Sequence, residues 1–297
     1  PEKRRYENIV LEICRKNAKS YVSALICLIL MILEPKFSRF FTVAPTGALA
    51  RETFKQIKEF VLVSPALDKH FKLRRDNIIC TLTSSEYVPL NYSTSTLDGK
   101  LPNAWLGDEV GALPVSYPLE AMRSGAILLK NKLGIIMSTK YPTVDNPFED
   151  EVDYAKKVLD NVIDDTTTFA LLYEPDNPTG SWESDDTILA HGNPLAIDVP
   201  ILWDNLLKKR VIAIEKPAAR SNFLTKHCNI ITADSSTEAY IDIQDLQQCR
   251  IDDFDWSGRD VYVGLDLSLT NDNTSVVMIT RDEYGHLVSH PMCFIPT

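Results

Sequence analysis

Residues 8–33 read NIVLEIC-RKNAKS-YVSALICLILMIL. The first block, Asn8 to Cys14, is a short apolar run of strand length. The second, Arg15 to Ser20, is a polar turn. The third, Tyr21 to Leu33, is apolar except for Ser23 and is stopped by Pro35, which cannot continue a helix. Strand, polar turn, helix is the opening unit of a nucleotide-binding α/β fold. In such a unit the turn and the helix N-terminus present backbone N–H groups to phosphate. A lysine there reaches the β- and γ-phosphates, and the next hydroxyl ligates Mg²⁺. Lys19 and Ser20 stand at those places, so Arg15, Lys16, Asn17, Ala18, Lys19 and Ser20 form a candidate phosphate loop. The full G-x-x-x-x-G-K-[ST] pattern is not met, because Ala18 replaces the glycine before the lysine and Cys14 stands one residue after the place of the first. An ordinary polar turn at a helix start is the competing reading.

Working outward, Phe40–Ala44 reads as a strand closed by Pro45, and Ala48–Leu62 as a helix with Phe54, Ile57 and Val61 on one face. Asn77–Thr83 and Tyr87–Leu90 read as a hairpin. Asn103–Gly107 reads as a strand ending in Asp108-Glu109, Pro118–Lys130 as a helix and Leu133–Ser138 as an apolar strand. Asp150–Ile163 reads as an amphipathic helix and Thr168–Tyr173 as a further strand. Glu174–Val199 is rich in Pro, Gly, Asp and Asn and reads as loop with little regular structure. Pro200–Gln248 is helix-rich. After an acidic turn, Asp252–Gly258, strands are expected at Val261–Leu267 and Thr274–Thr280, with a third starting at Leu287–His290. The expected architecture is a mostly parallel P-loop (ASCE-type) α/β sheet with flanking helices. It divides into a core over 1–199, a helical lid or linker over 200–251, and the first strands of another domain over 252–297.

The length of 297 residues suits one large α/β domain plus part of a second. A formal net charge of -10 argues against a surface that grips nucleic acid throughout, so any such contact is local or lies elsewhere. The six cysteines form no CxxC pair and no zinc-spaced cluster, which points to buried reduced thiols. The apolar run Tyr21–Leu33 is shorter than the ~20 residues of a membrane span; a buried helix accounts for it.

Three further sites carry chemistry. An aspartate after a strand can hold a Mg²⁺ shell and the following glutamate can polarise a water, the roles open to Asp108 and Glu109; a solvated acidic turn is the alternative. Ser138 and Thr139, ending LGIIMST, can sense a γ-phosphate or simply end a strand. Asp266 lies inside the apolar stretch VYVGLDLS, with Asp272 after it. A carboxylate in an apolar strand is costly to bury unless it binds a cation, so Asp266 reads as a metal ligand, against an edge-strand aspartate facing water. The nucleotide reading requires Lys19 and Ser20 to face Asp108 and Glu109 across a pocket, on strands that lie side by side.

Taken together, the segments resemble the terminase large subunit of tailed bacteriophages, in the group with an RKNGKS-type phosphate loop. RKNAKS matches that loop with one departure. Thr96–Gly99 followed by Trp105–Glu109 is similar to the family's "LDG … DE" stretch. Met122–Gly125 and MSTKYP are similar to its following helix and coupling motif, Phe223-Leu224 with His227–Ile231 to its segment before the nuclease, and VGLDLS with Asp272 to the first strand of its RNase H-like nuclease. The resemblance implies an ATP-driven DNA-packaging motor with a metal-dependent endonuclease that is incomplete here. Lys19 would bind phosphate, Ser20 and Asp108 would hold Mg²⁺, Glu109 would activate water and Arg15 would respond to the γ-phosphate. Arg123 is a candidate for charge donated to a neighbouring subunit's site, or a helix-surface arginine. Asp266 would be the first Mg²⁺ or Mn²⁺ ligand of the nuclease. Implied partners are double-stranded viral DNA, the portal protein, the small terminase subunit and other copies in a ring, in the cytoplasm of a bacterial host and with no membrane. The chain begins almost at its first strand, which suggests a fragment. Two other classes remain: a helicase- or recombinase-type ATPase with an unrelated C-terminal domain, and a non-catalytic remnant of a P-loop protein.

Overall fold

The computed structural model describes residues 4–93, 96–143, 145–231, 248–251, 253–267 and 274–294. The chain divides into two compact units, Pro1–Ala239 and Tyr240–Thr297. In the first, elements follow in the order β1 (Asn8–Glu12), α1 (Lys19–Leu33), β2 (Arg39–Val43), α2 (Gly47–Val63), α3 (Pro65–Asp68), β3 (Phe71–Leu73), β4 (Ile78–Cys80), β5 (Ser85–Pro89), β6 (Ala104–Asp108), α4 (Tyr117–Gly125), β7 (Leu133–Ser138), α5 (Pro147–Leu159), β8 (Thr168–Leu172), α6 (Asp186–Gly192), α7 (Pro200–Glu215) and α8 (Pro217–His227).

These strands form one eight-stranded sheet in the order β3-β4-β5-β2-β6-β7-β1-β8. Pairing from β5 through β8 is parallel, and β3-β4-β5 extends it antiparallel. The parallel strands are apolar on both faces because helices cover both. Neighbouring residues alternate between two cores: Phe40, Leu106 and Ile135 pack with α1 and α2, while Phe41, Trp105 and Ile136 pack with α4 and α5. Gly134 of β7 lies flat against the Trp105 indole, where any Cβ would collide with the ring. The second unit contains a three-stranded antiparallel sheet of β9 (Tyr262–Asp266), β10 (Thr274–Arg281) and β11 (Leu287–Phe294), in the order β11-β10-β9.

Four expectations need correction. The stretch 174–199 contains α6 and a 3-10 turn, Pro194–Ile197; Asp185 caps α6 by accepting from the Thr187 N–H, a role hidden by the turn-like composition. With α7 and α8 it builds a third small core around Leu189, Leu206, Phe223 and Leu224. The helix expected to reach Lys130 ends at Gly125, which packs on the Lys100 carbonyl. The apolar helix α1 is buried on one side only; Tyr21, Leu25, Ile29 and Leu33, at helical spacing, form an exposed apolar strip. Four cysteines are buried as expected, but Cys249 and Cys293 are exposed. The helix-rich reading of 232–247, Asp252 and Asp272 lie outside the described residues.

At the C-terminal end of β1, Glu12 is wholly buried, and neither carboxylate oxygen has a hydrogen-bond partner. Lys140 Nζ stands 3.7 Å away but is engaged more closely with Glu149, at 2.6 Å. Burial outweighs the attraction of Lys140 and lifts the Glu12 carboxyl to about 8. A carboxyl whose folded-state pKa is raised makes its most favourable contribution below about pH 4.5 and loses it as pH rises to about 8. Glu12→Gln is therefore expected to raise stability by about 1–3 kcal/mol at pH 8–9 and to have little effect near pH 5, as read by urea denaturation at both pH values.

Candidate nucleotide site

The loop between β1 and α1 is held in a tight form by its own backbone. Lys16 and Ala18 adopt positive φ, 72° and 59°. Ala18 is the N-cap of α1 in the left-handed region, where a Cβ costs about 1 kcal/mol relative to glycine. Asn17 is buried and fastens the loop from within. Its amide donates to the Cys14 carbonyl and to Asn193 Oδ1, and its Oδ1 accepts from the Leu195 N–H. Lys19 is buried, and its ammonium donates to the Ile13 carbonyl at 3.1 Å.

β6 delivers the acids. Asp108 is its last residue, 3% exposed, and Glu109 follows in the left-handed region (φ 51°), which turns its carboxylate back across the strand ends. Lys19 Nζ and Glu109 Oε1 are 3.7 Å apart. The Ser20 hydroxyl lies beside Asp108 and favours its charged form, while Asp108 Oδ1 is buried without a partner. Burial, and then the neighbouring Glu109, lift the Asp108 carboxyl to about 6. A hydroxyl beside a buried carboxylate with an unmatched oxygen is a donor set that fits Mg²⁺. The strands are not side by side, however: β7 stands between β1 and β6. The sites still meet, because parallel pairing brings the C-terminal ends of all three strands to one edge. A cleft of about 580 Å³ opens there, lined by Arg15, Ala18, Lys19, Ser20, Glu109 and Tyr141 among others, within the range of small-molecule sites.

Ser138 and Thr139, read from the sequence as candidates to sense a γ-phosphate, are wholly buried at the end of β7 and do not line the cleft. Ser138 Oγ accepts from the Gly111 N–H and donates to the Thr139 carbonyl, so it ties β7 to the turn after Glu109. Thr139 Oγ1 accepts from Lys226 Nζ. Arg123 makes a bidentate pair with Glu151 at 2.7 and 2.6 Å. Asp266, expected in an apolar and buried setting, is instead exposed at the end of edge strand β9, opposite Ser275. Among the described residues no cluster of His, Cys, Asp or Glu could hold a metal ion.

Two residues at the cleft were not singled out as site residues from the sequence. Tyr141 donates its hydroxyl to Glu109 Oε2 at 3.2 Å. Lys226, on α8, places its buried ammonium over the Tyr141 ring, 2.8 Å from its centre, and burial lowers its pKa to about 7. Both lie inside or beside the segments that carry the family resemblance. Nothing in the periodicity of α8 marks Lys226, because Thr225, Lys226 and His227 are polar residues at buried positions.

Two stability outcomes follow from this geometry. Ala18→Gly relieves the left-handed Cβ and is expected to stabilise the chain by about 1 kcal/mol in chemical denaturation. Asp108→Asn removes a buried carboxylate with an unmatched oxygen, and is expected to raise stability in metal-free buffer at pH 8 by about 1–3 kcal/mol.

Family models match along nearly the whole chain: the terminase large subunit ATPase domain over residues 1–157, and the terminase large subunit endonuclease domain over residues 162–297. No curated protein matches the chain. Among solved structures, the large terminase of bacteriophage HK97 superposes with a TM-score of 0.69 at 21% identity, covering 97% of this chain and 59% of that one. The large terminase from a thermophilic bacteriophage, solved in complex with ADP, gives 0.50 at 12% identity, covering 97% and 63%. The chain thus spans about three-fifths of the length of these relatives. From the two domain matches, with a P-loop-type sheet beneath them, the chain belongs to the terminase large subunit family.

Proposed function

We propose that this chain is the ATP-hydrolysing part of a DNA-packaging motor that drives double-stranded viral DNA into a procapsid. The observation that carries this reading is the meeting of Lys19, Ser20 and Glu109 at one cleft, with Asp108 buried beside Ser20 and Glu109. In the proposed assignment, the N–H groups at the start of α1 and the Lys19 ammonium bind the β- and γ-phosphates. Lys19 leaves its pairing with Glu109 to do so. Ser20 and Asp108 hold Mg²⁺, which when bound screens the charge of the phosphoryl group. Glu109, freed from Lys19, accepts a proton from the attacking water. Arg15, exposed at the cleft, faces the γ-phosphate, and Ser138 and Thr139 brace the strand end beside it.

The proposed division is an ATPase core over 1–199, a lid or linker over 200–251 and a nuclease region from 252. The lid, moving with the nucleotide state, transmits the stroke. Asp266 is assigned as the first carboxylate of a two-metal Mg²⁺ or Mn²⁺ endonuclease site, to which other carboxylates must converge. The expected partners are viral DNA, the portal protein, the small terminase subunit and further copies in a ring, in the cytoplasm of the bacterial host. No helix among the described residues is long and apolar enough to cross a membrane.

A second reading, a P-loop fold that no longer binds nucleotide, is favoured by the left-handed backbone at Ala18. Glu109→Gln is expected to keep ATP binding within a few-fold while lowering turnover at least about 10²-fold, as general-base removal does. Phosphate-release kinetics and binding of a fluorescent ATP check both arms. Wild-type turnover in the variant rejects the assignment of Glu109, and absence of binding by the unaltered chain supports the second reading.

A further inference from the structure

Four hydrogen bonds join the phosphate loop to the α6–α8 segment. The Cys14 N–H donates to the Gly192 carbonyl (3.2 Å) and the Arg15 N–H to the Lys226 carbonyl (3.1 Å). Asn17 donates to Asn193 Oδ1 (2.9 Å) and accepts from the Leu195 N–H (3.1 Å). Asn193 in turn donates to the His227 carbonyl at 2.7 Å. The end of α8 is therefore fixed relative to the loop largely through backbone groups, and the Lys226 side chain leaves it toward the end of β7.

There the ammonium is fully occupied. It donates to Thr139 Oγ1 (3.2 Å) and to the Lys140 carbonyl (3.0 Å), and its remaining face lies against the Tyr141 ring. Two of these contacts fix the chain just before the tyrosine, and the third fixes the ring itself. A cation held over the face of a half-buried ring is attracted by its quadrupole, which favours the charged form of Lys226 against the burial that lowers its pKa to about 7. The Tyr141 hydroxyl donates to Glu109 Oε2. Lys19 forms an ion pair with the other oxygen, Oε1. When Lys19 turns to phosphate, the tyrosine hydroxyl is the contact that keeps the carboxylate in place.

We propose that Lys226 is a positioning residue for the water-activating acid: α8 holds Tyr141 through the Lys226 ammonium, and Tyr141 holds Glu109 in the orientation that takes the proton. This rests on the reading of Glu109 as the base, and it makes the α6–α8 segment part of the catalytic geometry. A shift of α8 by an ångström or two withdraws the cation from the ring and loosens the carboxylate. Positioning errors of that size are known to cost up to about 10²-fold in rate.

The test measures ATP hydrolysis by the 297-residue chain, with nucleotide binding followed in parallel. Glu109→Gln is run first: loss of turnover with binding retained establishes the underlying reading independently of Lys226, and unchanged turnover removes the acid and the present inference with it. Lys226→Met is then expected to lower kcat about tenfold with KM within about twofold. Lys226→Arg, which keeps a cation over the ring, is expected to recover most of the loss. Tyr141→Phe keeps the ring and removes only the hydroxyl, so it is expected to match Lys226→Met. The double variant is expected to be no slower than either single, because both act through one bond. Losses that multiply in the double variant overturn the proposal, as does a rise in KM with kcat unchanged. If Lys226→Met fails to fold, Tyr141→Phe and Lys226→Arg still decide: Tyr141→Phe at the wild-type rate breaks the chain of contacts and rejects it.

Discussion

A carboxylate buried with one oxygen unmatched is the constraint around which the site is built. Asp108 is 3% exposed at the end of β6, an interior strand of the sheet covered on both faces. A buried unpaired charge is costly unless a cation or hydrogen bonds compensate it. The Ser20 hydroxyl and the backbone at Glu109 favour the charged form of Asp108, Lys19 supplies distant charge, and Oδ1 is left over. The arrangement has the character of a site whose last partner arrives from solution, with folding stability given up locally for that purpose. Glu12 at the end of β1 is a second buried acid of the same sheet edge, but Lys140 stands close to it. The two carboxylates of one edge therefore differ in what could complete them.

The sheet makes this possible through its order. With β7 between β1 and β6, the lysine and the acids approach across the width of one strand, which leaves a cleft where directly neighbouring strands would close it. The end of the intervening strand is then a natural relay. Ser138 grips the turn after Glu109, Thr139 accepts from Lys226, and Tyr141 reaches Glu109. Three side chains at one strand end thus connect the acids to α8, and α8 to the loop.

Much of this was legible in the chain. The strand–turn–helix at residues 8–33, the apolar strand Leu133–Ser138 and the acids after β6 were all readable, because uninterrupted apolar runs bounded by turn residues describe buried parallel strands. The resemblance added the order in which the pieces are used. What could not be read was governed by tertiary contact. The antiparallel strand β3 is three residues long, too short for any period to show. α6 begins at an aspartate in a stretch whose composition resembles loop. Lys226 and Tyr141 matter only because α8 folds back over the end of β7, a long-range event with no local signature. At Asp266 only the expected burial was misread: its apolar neighbours suggested it, but among the described residues they are exposed on strand β9.

The strip formed by Tyr21, Leu25, Ile29 and Leu33 bears on how the chain behaves at the bench. It runs along the same helix whose first turn carries Lys19, and Tyr21 belongs to both the strip and the cleft. Sulfate and phosphate buffers strengthen the tendency of such surface to leave water. If the proposed nucleotide reading holds, rates taken at high protein concentration in those salts risk mixing self-association with turnover, and inorganic phosphate is a competitor for the proposed phosphate loop. Dilute chloride buffers keep the two effects apart.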